Sequence, residues 1–124
     1  MKVTRDRFEA LAEAALREIP RRFRELIVDL EISVQARPGP EAAGLRGARS
    51  LLGLYAGLTR SDMAGPFAGS HEPARIILYQ DNIQAFCRDE AELAREVRAT
   101  LRHELAHHFG FTDEDLRRRW PEGA

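Results

Sequence analysis

The sequence predicts an α+β fold in which a small sheet packs on an N-terminal helix and on a long helix near the other end of the chain. Three observations carry this reading. Apolar residues recur every three or four positions in the first twenty residues, apolar and polar residues alternate in the stretch that follows, and a capped helix of about twenty residues lies close to the C-terminus.

From Thr4 to Ile19, the residues Phe8, Leu11, Ala12, Ala15, Leu16 and Ile19 share one helical face, and Pro20 stops the helix because it has no N–H to donate. Leu26, Val28, Leu30, Ile32 and Val34 then alternate with Asp29, Glu31 and Ser33, which predicts a half-buried strand from Leu26 to Val34. Arg37-Pro38-Gly39-Pro40 ends it. The segment from Arg37 to Pro73 holds seven of the nine glycines and has no long periodic stretch; only Leu51-Leu52-Gly53-Leu54-Tyr55 is apolar enough to pack, as a short strand or bend. A loop region of this length in a small domain is expected to border the functional site and to move. Arg75 to Gln80, bounded by Asp81-Asn82, reads as a second strand. Asp89 with Glu92 caps the start of a helix that runs to about Phe109 and closes at Gly110. Thr112 with Asp115 opens a short last helix through Arg119.

The chain has 124 residues, 44% apolar and 31% charged, enough for one core, so a single domain over residues 1–124 is expected. Its 19 basic and 20 acidic residues leave a net charge of −1, which offers no field to gather nucleic acid or an anionic membrane. Single Cys87 cannot form an internal disulfide, no apolar run approaches a bilayer span, and the N-terminal residues do not read as a secretory signal, so a cytoplasmic location is expected. Lys2 is the only lysine and Asn82 the only asparagine, a bias that fits a GC-rich bacterial genome.

The long helix carries Arg102-His103-Glu104-Leu105-Ala106-His107-His108-Phe109-Gly110. His103 and His107, four apart, project about 40° from each other around the axis and one turn along it, so two imidazoles can converge on one ion. Zinc suits such donors. Glu104 lies about 100° from His103, placed to touch a water and not the metal, which is the position of a general base. With 4 His and 13 Glu in the chain, His-Glu-x-x-His arises by chance in roughly one such sequence per hundred. Catalytic zinc takes three protein ligands, and Asp113 is the best third: Gly110 lets the chain reverse, and Asp113 follows three residues later. His71 is a weaker alternative from the loop, and His108 points away, to pack or to support the ligands. The pattern identifies no oxyanion donor; Tyr55 and Tyr79 could serve, although a buried tyrosine more often belongs to the core.

These residues resemble the small bacterial metallopeptidases sometimes called minimal zincins, whose signature is His-Glu-x-x-His-x-x-Gly-x-x-Asp. The similarity spans most of the chain, from the helix ending at Ile19-Pro20 through both strands to His103–Gly110. It implies a zincin-like minimal fold and a Zn2+ site with His103, His107 and Asp113 as ligands and Glu104 as base. Both methionines, Met1 and Met63, precede the helix, so the methionine turn of larger zincins has no counterpart. The expected function is zinc-dependent hydrolysis of peptide bonds in a peptide or protein substrate. The alternative is a zinc-containing binding or regulatory module without turnover. An extended peptide is expected along an exposed strand edge, with Arg75 to Gln80 as the candidate strand.

Overall fold

Thr4 starts the first helix, α1 (Arg5–Arg17), by accepting the Arg7 N–H at 3.1 Å, in a computed structural model that describes residues 1–66, 69 and 71–121. Residues 67, 68 and 70 of the long loop and residues 122–124 of the expected domain lie outside the described residues. After Pro20 the chain makes one further turn, α2 (Arg21–Arg24), which carries Phe23 inward. The Leu26 and Ile27 N–H groups still bond back to Phe23 and Arg24, and Asp29 sits at φ 51°. Those local bonds override the alternating pattern. Strand β1 therefore covers Leu30–Gln35 and not Leu26–Val34.

Two short 3-10 turns, Pro40–Ala42 and Ala48–Ser50, lead to β2 (Gly53–Ala56), and α3 (Arg60–Met63) follows. Strand β3 (Ala74–Tyr79) runs directly into α4 (Gln80–Gln84), a turn that the sequence reading did not foresee. The long helix α5 (Glu90–Phe109) and the short α6 (Asp113–Arg119) complete the order. The sheet is mixed, in the order β1-β3-β2: β1 is parallel to β3, with Ile32 opposite Ile76, and β2 is antiparallel, with Tyr55 opposite Ile76. Strand β3 is thus central. Its backbone is paired on both sides and Ile76 to Tyr79 are fully buried, so it is not the exposed edge expected for Arg75 to Gln80; the free edges belong to β1 and β2.

Ile76 and Leu78 on one face of the sheet join Phe8, Leu93, Val97, Leu101 and Leu105 in the core between sheet, α1 and α5. Each such side chain contributes about 1.5–3 kcal/mol when fully buried. The C-terminal end of α5 is fixed twice. Gly110, at φ 76°, lets the Phe111 N–H reach the Ala106 carbonyl at 2.8 Å and its own N–H reach His107, the paired bonds of a Schellman stop. Phe23 stacks on Phe109 and Trp120 with ring centres 6.0 and 4.7 Å away, which joins α2, α5 and the segment after α6. Among the described residues no helix is long and apolar enough to cross a membrane.

Strand β2 approaches α5 closely at Gly53, where a Cβ would lie 2.9 Å from Thr100 Cγ2 and 3.1 Å from the Ile77 carbonyl oxygen. Any side chain there forces strand and helix apart. Gly53→Ala should therefore lower stability by about 1–3 kcal/mol, read as a shift in the urea midpoint, and an unchanged midpoint would contradict the close packing.

Candidate metal centre

Helix periodicity puts His103 and His107 together on the solvent-facing side of α5, with the ring centres 5.2 Å apart and the planes at 86°. Two imidazoles held at about 2.1 Å per nitrogen by one tetrahedral ion have ring centres roughly 5 Å apart, so the spacing of this pair fits a shared zinc. Glu104, the residue between them, is buried against β2, and Gly53 makes room for its side chain at 3.3 Å from where a Cβ would be. Its Oε1 is 4.0 Å from His107 Nε2, and the Tyr55 main-chain N–H faces its carboxylate. Burial pushes its pKa above the ordinary carboxylate value, while His103, His107 and the Tyr55 N–H pull the other way.

Asp113 is the first residue of α6, exposed, just beyond the turn at Gly110. His103 and Glu104 each lie near His107, but among the described residues no three His, Cys, Asp or Glu side chains are grouped so that they could hold a metal, and Asp113 does not stand with the histidine pair as a third donor. His71 is elsewhere: its Nδ1 lies 3.4 Å from Asp29 Oδ2 and 3.1 Å from the Glu72 carbonyl.

His108 is fully buried. Its Nε2 accepts the Val28 N–H at 3.3 Å, so the neutral ring carries its proton on Nδ1 and donates it to Tyr55 Oη at 2.7 Å. Tyr55 passes its own hydroxyl proton to the Leu58 carbonyl. Every polar atom of this relay is used. Burial, with the Arg60 guanidinium nearby, holds the His108 pKa below the ordinary imidazole value, and burial with Asp62 pushes that of Tyr55 up to about 12. Tyr55 therefore has no free proton to offer an oxyanion. Sequence reasoning placed His108 in a supporting position but missed its partners; a histidine on the apolar side of a helix must be buried, and a buried imidazole needs two of them.

A mixed sheet crossed by a long helix that carries two histidines and a buried glutamate at this spacing is the arrangement the zincin resemblance implies. The family model for zincin-like metallopeptidases matches residues 27–121, and the chain belongs to that family. A solved structure of a conserved hypothetical protein from T. thermophilus is 27% identical, with a TM-score of 0.56, and the match covers 94% of this chain and 99% of that one. No curated protein matches the chain.

Tyr79, the other tyrosine considered as an oxyanion donor, is fully buried, and its hydroxyl has no hydrogen-bond partner among the described residues. A desolvated, unpartnered hydroxyl costs about 1–3 kcal/mol. Tyr79→Phe should raise the unfolding free energy by about 1 kcal/mol in chemical denaturation; a clear loss of stability would show that the hydroxyl is bonded after all.

Proposed function

We propose that the chain is a zinc-dependent peptidase in which His103 and His107 hold the metal, Asp113 at the start of α6 completes the ligand set when the metal binds, and Glu104 is the general base. The supporting observation is the placement of Glu104: an acid buried between two exposed imidazoles and faced by a main-chain N–H has no evident structural use. Bound zinc supplies Lewis acidity, lowering the pKa of water and polarising a carbonyl. Glu104 takes a proton from the attacking water on a carboxylate oxygen and returns it to the departing amine. Burial favours that role, because a raised pKa makes the carboxylate a stronger base.

The edge of β2 replaces that of β3 as the place for an extended substrate. Leu52 accepts the Tyr79 N–H at 2.9 Å, so by alternation Gly53 and Tyr55 turn their N–H and C=O groups away from β3, towards the free edge beside Glu104. The Tyr55 N–H faces Glu104, and the other three groups are left to a peptide. The binding-module alternative is favoured by one observation, the absence of a third ligand beside the pair among the described residues.

His103→Ala and His107→Ala should each abolish tight zinc binding, and Asp113→Ala should weaken it, in metal analysis by mass spectrometry; full zinc occupancy in the double histidine variant contradicts the assignment. Glu104→Gln keeps size and metal but removes the base. Chelator-sensitive cleavage of a peptide library should then fall about 10²- to 10⁴-fold at unchanged zinc content. Cleavage that survives this change belongs to another mechanism, and no cleavage by the zinc-loaded wild type favours the binding module.

A further inference from the structure

One residue outside the helix touches three of the positions that matter on it. Tyr55 turns its main-chain N–H towards Glu104, lays its ring beside that of His107 with centres 6.4 Å apart and planes within 21°, and receives the Nδ1 proton of His108 on its hydroxyl. The hydroxyl is held at both ends, by His108 and by the Leu58 carbonyl, so the ring cannot swing away from His107. His103 has no such neighbour: among the described residues its one ring contact is His107 itself. The two candidate ligands are therefore supported unequally, although both are exposed.

We propose that Tyr55 is a positioning residue for this site, fixing the His107 ring with a side chain that His108 and the Leu58 carbonyl lock in place. The proposal rests on the metal-site reading above. A ligand held in one rotamer before the metal arrives loses less entropy on binding, and removing a hydrogen-bonded support of a metal ligand typically weakens affinity about 10- to 100-fold, a ceiling for a ring contact such as this one. Locking Tyr55 also fixes β2 against α5, so the same hydroxyl that steadies His107 keeps the peptide edge in register with the base.

The test has a metal-free arm and a metal arm. In the metal-free wild type, imidazole relaxation measured by NMR should show His107 rigid and His103 moving between rotamers, with the His108 proton on Nδ1. In Tyr55→Phe, His107 should become as mobile as His103. Titration with Zn2+ against a chromophoric chelator should show affinity reduced, by up to about 10-fold, in Tyr55→Phe. Equal mobility of the two rings in the wild type, or wild-type zinc affinity in folded Tyr55→Phe, overturns the proposal. Should Tyr55→Phe not fold, His108→Gln cuts the same anchor from the other side, and the wild-type relaxation decides alone. A wild type that binds no Zn2+ overturns the metal reading, and the ring mobilities still decide the role of Tyr55.

Discussion

The contact on which the site depends is the close approach of β2 to α5 at Gly53. A carbonyl oxygen of the central strand and a methyl group of Thr100 occupy the space a side chain would need, so only a residue without Cβ lets the edge strand lie so near the helix. From that contact follows the burial of Glu104 one turn further on, and from the same strand come the Tyr55 N–H that faces its carboxylate and the ring that flanks His107. The strand is short, but it supplies three of the site's fixed points.

Helix α5 is held in rotation as well as in place. Its apolar side is committed to the sheet and α1, its end to the turn at Gly110 and the ring cluster around Phe23, and Arg102 on another side bonds the Leu116 and Trp120 carbonyls of the α6 region. A helix with its core side so committed cannot turn to relieve strain at its polar side. His103 and His107 must then stand on the solvent side and Glu104 on the boundary between solvent and strand, because the 3.6-residue period leaves no other arrangement.

Much of this was legible in the sequence, and the failures have local causes. Both ends of α5 were readable because the N-cap Asp89 and the left-handed Gly110 are short-range signals, and the Thr112 and Asp115 pair forms the expected capping box. The start of β1 was misplaced because main-chain bonds at Leu26 and Ile27 and the left-handed Asp29 outweigh a pattern of alternating hydrophobicity. The position of β3 in the sheet was not readable at all. Strand order depends on long-range pairing, although the run Ile76-Ile77-Leu78-Tyr79, apolar on both faces, is what a central strand needs. His103, Glu104 and His107 were found by spacing alone, since one helix carries all three, whereas the grouping of Asp113 depends on a turn whose path spacing does not fix.

The energetics of Glu104 explain why such a site needs the support it has. Its folded pKa is raised, chiefly by burial, so the protonated form is the one the fold favours, and the native state loses stability as the pH rises and the carboxylate ionises. Two exposed imidazoles and one N–H offset part of that cost. A carboxylate in this position moved freely into water would escape the cost entirely, by turning outward and abandoning the strand. What opposes that escape is the packing of its stem against Gly53 and the N–H of Tyr55, both on β2. The strand therefore acts on the site by confinement: it keeps a charge where the charge is least comfortable, and a base that is uncomfortable when ionised is one that accepts a proton readily.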